Sequence, residues 1–405
     1  MLIKIIKFGL SDGLVKLLPF ISILLYAKEF DSDVVGRLSL ITIVIEVFCI
    51  FVCNNIQTIV RIDYFKLSWC SFKIMARSFV LYSLFSQLAS ILIVLTYIFV
   101  FDESYYLLLL TIIPISRFFS QLALSIYQCK KNVNSYLKLQ SGFAVTFLLT
   151  LALTYQFGLI GWIVSYSFSS MFQLCISCRS LYYEGVFGGK GGWAFDHKLV
   201  VRGMMFMPQA LGWWVKNGIE RSLVAAFLGL AILGNYSVVY QLASLSLLLA
   251  TAINLTVVPD INNYLSELSR ESSRGVYEKI NSIYFKSALY LLASSFFVYL
   301  MAFFILDEFY PDYSSEFLWL FTCIIFIQSL VLLLMNELYF VGESKFVAVV
   351  VICTFLLQAS LQYLVLIYDF GLYSVVLISL FLMFLLFFST VKKILNKRSK
   401  DDYFA

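Results

Sequence analysis

The sequence predicts an all-α polytopic membrane protein of about twelve transmembrane helices, in two six-helix lobes around a central cavity. Three observations predict it. Charged residues make up only 13% of the 405, where a soluble chain carries roughly 25%. Apolar runs long enough to cross a bilayer, about 20 residues as a helix, recur along the whole length. Basic residues gather at alternate ends of those runs. Only helices and closed barrels satisfy their backbone polar groups in hydrocarbon, and runs of this length are helices.

The spans fall at approximately 8–27, 36–60, 78–100, 105–128, 138–155, 158–178, 199–221, 231–257, 283–306, 316–339, 346–367 and 370–391. The first begins "MLIKIIKFGLSDGLVKLLPFISILLYA". Lys16 interrupts its apolar stretch and no small-x-small site comes after it, so it reads as an uncleaved span rather than a signal peptide. Lys4 and Lys7 precede span one. Arg61, Lys66, Lys73 and Arg77 follow span two, and Lys130, Lys131 and Lys138 follow span four. The pattern continues after spans six, eight, ten and twelve, ending on Lys392, Lys393, Lys397, Arg398 and Lys400. The opposite loops, "FDESYY", "DEFYPDYSSE" and "YDFG", have no Lys or Arg. Short basic loops stay in the cytoplasm, so both termini are expected there.

Between spans six and seven lies "YYEGVFGGKGGWAFDHK". It divides the chain into an N-terminal lobe at 1–180, a glycine-rich cytoplasmic linker at 181–197 and a C-terminal lobe at 198–405. GGKGG is not a phosphate loop, which needs Ser or Thr after the Lys and a preceding strand. Six spans per half place both halves in one orientation, as parallel repeats. Gly36, opening span two after an acidic turn, and Gly234 in "LGNYS", opening span eight, are candidate equivalents, as are Pro19 and Pro208.

All but six of the 29 basic residues accompany the cytoplasmic ends; the six are Lys16, Lys28, Arg37, Arg117, Lys216 and Arg221. A charge at the bilayer centre costs roughly 2.5–3.5 kcal/mol on insertion scales, so such residues face a bundle interior or a wet cavity. In span four, Arg117, Gln121, Ser125 and Gln128 share one helical face. In span seven, Gln209, Trp213, Lys216 and Glu220 form one row, with Trp214, Asn217 and Arg221 beside it. Glu46, Cys53, Gln57 and Arg61 share a face of span two, and Asp12 and Lys16 are an i,i+4 pair in span one. Span eight adds Ser237, Gln241, Ser244 and Thr251. These five spans are expected to line a shared water-filled cavity, while spans nine, eleven and twelve face lipid more. Competing accounts exist. Asp12 with Lys16 can be a local interfacial pair, and Arg37 can snorkel. The end of span seven can be an aromatic belt, as Trp162 and Trp319 are read to be. Arg117 lies near mid-span with no partner on its own helix.

A cavity in which cations outnumber carboxylates suits an anionic substrate. Arg and Lys are good phosphate partners, and Trp213 and Trp214 are suited to stacking on sugars. The single His excludes a polyhistidine metal site. The eight cysteines, including the pair Cys175 and Cys178, read as small apolar helix residues. No nucleophile–base pair, nucleotide site or nucleic-acid surface is seen, so the chain is read as no enzyme and without a cofactor.

The segment "MPQALGWWVKNGIERSLVAAFLGLAILGNYSVVYQLAS" resembles the Wzx-type polysaccharide flippases. These belong to the MOP exporter superfamily, with the lipid II flippases and the multidrug MATE exporters. The likeness rests on Pro208, Trp213–Trp214, Glu220–Arg221, Leu228–Gly229 and Gly234–Tyr236–Ser237, and on "LLPFISILLYAKEFDSDVVGRLSL" and "IQTIVRIDY" in the first half. Glu220 stands where Asp is commoner. The resemblance implies two lobes in a V and alternating access. It also implies a substrate, an O-antigen-type oligosaccharide repeat on undecaprenyl pyrophosphate, flipped to the periplasmic leaflet. Arg117, Lys16, Lys216 and Arg221, with Gln121, Trp213 and Trp214, would then bind substrate. Glu46 and Glu220 are candidates for coupling to a proton or sodium gradient, with structural pairing as their other account. Partners would be the lipid-linked saccharide, membrane lipids and the polymerase and chain-length machinery. The alternatives are a MATE-like small-molecule exporter and an O-antigen polymerase, the latter disfavoured by the short outer loops.

Overall fold

A computed structural model describes residues 18, 21–64, 67–102, 104–130, 132–188, 195–204, 207–267, 273–310, 313 and 315–399. The described residues are helical almost throughout and contain no strand. Residues 21–29 form α1. After it come α2 (Ser32–Cys53), α3 (Ile56–Asp63), α4 (Trp69–Phe101), α5 (Ile112–Cys129), α6 (Val133–Thr154) and α7 (Gly158–Tyr183). The second half has α8 (His197–Met204), α9 (Met207–Trp214), α10 (Glu220–Leu228), α11 (Leu230–Glu267), α12 (Ser273–Phe309), α13 (Leu318–Phe340), α14 (Ser344–Ile367) and α15 (Gly371–Ser399).

Nine stretches among the described residues are long and apolar enough to cross a membrane. One of them, Val133–Tyr183, contains two spans joined at the 3₁₀ turn Tyr155–Phe157. Span one extends into residues outside the described ones, and span seven is broken into short pieces. These three account for the difference between nine stretches and twelve spans. The lipid-facing character shows in α4, whose Phe85, Leu88, Leu92 and Phe99 are exposed.

Two expected spans are interrupted. In span two, Asn54 and Asn55 take left-handed backbone angles (φ 43° and 51°) and separate α2 from α3. Asn tolerates this region better than most residues. The Asn54 amide donates to the Val200 carbonyl on α8 at 3.1 Å, and Gly203 packs against Asn54 where a Cβ would sit 2.8 Å from its oxygen. The expected single face from Glu46 to Arg61 is therefore broken. In span seven, a π-helical turn at Val215–Ile219 joins α9 to α10. A π turn shifts the register of the residues beyond it, so Gln209, Trp213, Lys216 and Glu220 do not keep the α-helical spacing their row presumes.

The chain forms two compact units. The first holds Leu40–Trp214 and the described residues up to Ser22; the second holds Ile23–Ser39 and the described residues from Val215 on. In the first unit, α6 and α7 pack through small polar side chains, a device common between membrane helices. Thr154 meets the Ser165 hydroxyl at 2.6 Å, and Ser116 of α5 donates to the Ser170 carbonyl at 2.6 Å. Trp162 corrects the belt reading, because it is fully buried and donates to Ser22 at 3.1 Å. Trp319 is exposed, as a belt residue would be. Arg77 of α4 donates to the Val186 and Gly188 carbonyls, which fixes the start of the glycine-rich segment to the first unit.

In the second unit, α2 and α11 cross with their backbones in contact. A Cβ on Gly36 would lie 2.3 Å from the Leu230 carbonyl oxygen, and one on Gly234 would lie 2.1 Å from that of Ser32. Only glycine fits at either place.

Candidate functional site

In the first unit Arg117, Gln121 and Gln128 of span four form an open stripe, but Ser125, expected on the same face, is buried, as are Ser116 and Ser120. Along α5, Arg117, Gln121 and Gln128 are partly open, whereas Phe118, Phe119, Leu122, Leu124 and Ile126 are buried. The remaining openings lie at the helix ends. The helix thus presents Arg117, Gln121 and Gln128 outward and packs its apolar residues and its serines inside the unit. Arg117 Nη1 donates to Glu46 Oε1 of α2 at 2.7 Å, and Nη2 lies 3.4 Å from the Tyr166 hydroxyl of α7. The side chains of Arg117 and Glu46 are 30% and 53% exposed. Charges within long apolar helices are tolerated where they pair and face a bundle interior or a wet cavity. Trp214 belongs to the same unit and donates to the Ile43 carbonyl at 3.0 Å. Trp213 is partly buried beside it.

In the second unit the charges that come after Trp214 point inward. Lys216, Glu220 and Arg221 are 3%, 4% and 9% exposed. Glu220 accepts hydrogen bonds from Tyr236 of α11, Gln358 (2.5 Å) and Gln362 (2.8 Å) of α14, and Ser379 (2.6 Å) of α15. A carboxylate holding four donors is well compensated for its burial. Lys216 donates to Gln328 of α13 at 2.6 Å, and Arg221 donates to Ser39 at 3.1 Å. Both cations lie over the ring of Tyr240, at 6.0 and 5.0 Å, within cation–π range. Tyr240 in turn donates to Asn217 at 3.1 Å.

The structure therefore brings Arg117 together with Glu46, and Lys216 together with Arg221 around Tyr240. Gln121 lies on the open stripe of α5. Lys16 lies outside the described residues. Spans eleven and twelve keep the exposed apolar faces expected of them, Leu356, Phe381 and Phe388 among them, and they also supply Gln358, Gln362 and Ser379 to the buried carboxylate. The i,i+4 spacing of the two glutamines within an apolar run is the sequence signal for that face.

No family model matches the sequence, and no curated protein matches it. Solved structures do match in fold. One is a MATE in complex with MaD3S, at 10% identity and a TM-score of 0.66 over 98% of this chain and 96% of that one. The fold is that of the MATE transporters of the MOP superfamily. A multidrug resistance MATE transporter in an inward-facing conformation matches at 11% identity and TM-score 0.62, over the same shares of the two chains. So does a Pyrococcus furiosus MOP superfamily transporter, at 13% and 0.61, whose binding pocket is described as reversed in polarity, suggesting a different function.

Proposed function

We propose that the chain is a MOP-type transporter that flips an undecaprenyl-pyrophosphate-linked oligosaccharide from the cytoplasmic to the periplasmic leaflet. The observation that carries the transporter reading is the open stripe of α5. A helix whose apolar faces are packed inside its unit, and whose open face holds Arg117, Gln121 and Gln128, lines a wet path through a membrane. The stripe supports the cargo as well. A guanidinium suits a diphosphate, and amides suit sugar hydroxyls. Translocation would proceed by alternating access in the inner membrane, with both termini cytoplasmic. Glu46 and Glu220 are the carboxylates available for coupling to a proton or sodium gradient. The polymerase and chain-length machinery would take the product.

A second reading, a small-molecule exporter of the MATE type, is favoured by the fold likeness and by one local fact. Glu46 is more open than the Arg117 it holds, so the same stripe offers a carboxylate to a cation.

Deleting the gene in its own strain separates the two. Single repeat units accumulating on undecaprenyl pyrophosphate, with loss of surface polymer, support the flippase. Unchanged polysaccharide with raised sensitivity to cationic drugs supports the exporter. Restoration by the wild-type gene but not by Arg117→Ala would tie the activity to the stripe. Reporter fusions at Phe101–Tyr105 and at Lys130–Lys131 test the orientation, with the first expected outside and the second inside.

A further inference from the structure

The second unit contains a cavity of about 760 Å³ whose lining includes none of Lys216, Glu220, Arg221 and Tyr240. Its volume falls within the range of about 300–1,000 Å³ typical of small-molecule sites. It lies at the helix ends that the charge asymmetry assigns to the outer face. The end of α1 contributes Lys28 and Glu29, Asp31 stands just before α2, the start of α11 contributes Asn235, and the approach to α13 contributes Tyr313 and Phe317.

Three features mark it as a built site. Asn235 is partly open and sets a side-chain amide into the wall. The side chains of Lys28, Glu29 and Asp31 make no ion pair or hydrogen bond with any described residue, although they share one rim. The wall is rigid, because Gly234 is locked against Ser32 and Gly36 against Leu230 by backbone contact. Tyr313 is pinned as well, donating to the Ala27 carbonyl at 3.1 Å.

The chemistry selects the ligand. Two carboxylates against one ammonium repel a phosphate or diphosphate. Charged groups at the rim disfavour an acyl chain. Planar carboxylate and amide groups beside aromatic rings match a saccharide, whose hydroxyls need donors and acceptors and whose C–H faces pack on rings. We infer that this cavity is a saccharide-binding subsite on the outer side of the second unit, taking a neutral or amino sugar of the cargo. The inference rests on the flippase reading. It gives the sugar a contact beyond the amides of the α5 stripe.

The test uses the full chain in detergent and the oligosaccharide repeat released from the strain's own surface polysaccharide, which carries no diphosphate. Its affinity is measured by saturation-transfer NMR titration. Asn235→Leu, Asp31→Asn and Phe317→Ala should each weaken binding by about tenfold, the loss of roughly one good contact. Asp31→Asn changes only an exposed rim residue, so misfolding does not explain its effect. Equal binding by wild type, Asp31→Asn and Phe317→Ala, or no binding by any of them, overturns the subsite even when gene deletion accumulates lipid-linked repeats. A deletion strain with normal polysaccharide overturns the flippase reading itself, and the subsite with it.

Discussion

Ser39 and Ser237 meet hydroxyl to hydroxyl at 2.9 Å, where α2 crosses α11. Around them the crossing is reciprocal. Gly36 abuts Leu230, and Gly234 abuts Ser32. A single offset of residue numbers relates Ser32 to Leu230, Gly36 to Gly234 and Ser39 to Ser237, so the two glycine contacts are twofold mates and the serine contact is its own mate, as in an isologous interface. Gly36 and Gly234 are the pair the sequence aligns as repeat equivalents, and the structure packs each on the other's helix.

The closeness of this crossing can be tested directly. Gly234→Ala places a methyl against a backbone carbonyl that cannot step aside alone, so the helices must separate. Overpacking of this kind costs about 1–3 kcal/mol, and the melting temperature of the detergent-solubilised chain should fall by several degrees. Gly36→Ala should do the same. The double variant should cost less than the two singles together, because one separation relieves both clashes. Fully additive losses would show that the two contacts are independent.

Glu220 carries a second prediction. Its carboxylate is surrounded by groups that donate: the Tyr236 and Ser379 hydroxyls and the amides of Gln358 and Gln362. Glu220→Gln keeps the shape but turns one acceptor oxygen into a donor facing donors. Leaving buried donors unmet should destabilise the chain by at least about 2 kcal/mol, read as a lower melting temperature. An unchanged melting temperature would mean that the cluster reorganises freely around a neutral side chain.

Much of this architecture is legible in the sequence, and the gaps have identifiable causes. Apolar runs and alternating basic ends give twelve spans because the bilayer imposes one length and one charge rule on all of them. The stripe Arg117–Gln121–Gln128 is legible because helical spacing fixes which residues share a face. Its partner Glu46, 71 residues away, is not, because spacing along one helix says nothing about which helix lies beside it. The break at Asn54–Asn55 is a local backbone choice that hydropathy averages over. The π turn at Val215–Ile219 leaves no compositional trace, and it undoes a face read at α-helical spacing. Gln358 and Gln362 share a face by their i,i+4 spacing, but what that face meets is legible only once Glu220 is placed between α14 and α15.

The Arg117–Glu46 pair supports a third prediction, which separates its two members. If an anionic diphosphate is the cargo, it must compete with Glu46 for the guanidinium. Glu46→Gln should then preserve transport and strengthen binding of inorganic pyrophosphate to the purified chain, while Arg117→Ala should abolish both. If Glu46 couples a cation gradient or binds a cationic drug, Glu46→Gln should abolish transport by itself. Complementation of the deletion strain together with pyrophosphate titration reads both arms.

The last prediction concerns pH. Glu343, in the turn between α13 and α14, faces Lys397 at 3.0 Å and Lys393 at 3.2 Å, both on α15. The hydrogen bond from Lys397, then that from Lys393, holds its carboxyl below its ordinary value of 4.5. A carboxyl with a lower pKa in the folded state stabilises the fold above its unfolded pKa, and that contribution vanishes as pH falls through the folded value. Both ion pairs are partly solvated, so the contribution should be no more than about 1 kcal/mol. Wild type should therefore melt slightly above Glu343→Gln at pH 7. The gap should close as pH falls below the ordinary carboxyl value, and it should shrink in high salt as surface pairs are screened. A gap that persists unchanged into strong acid would assign the effect to packing of the side chain instead of its charge.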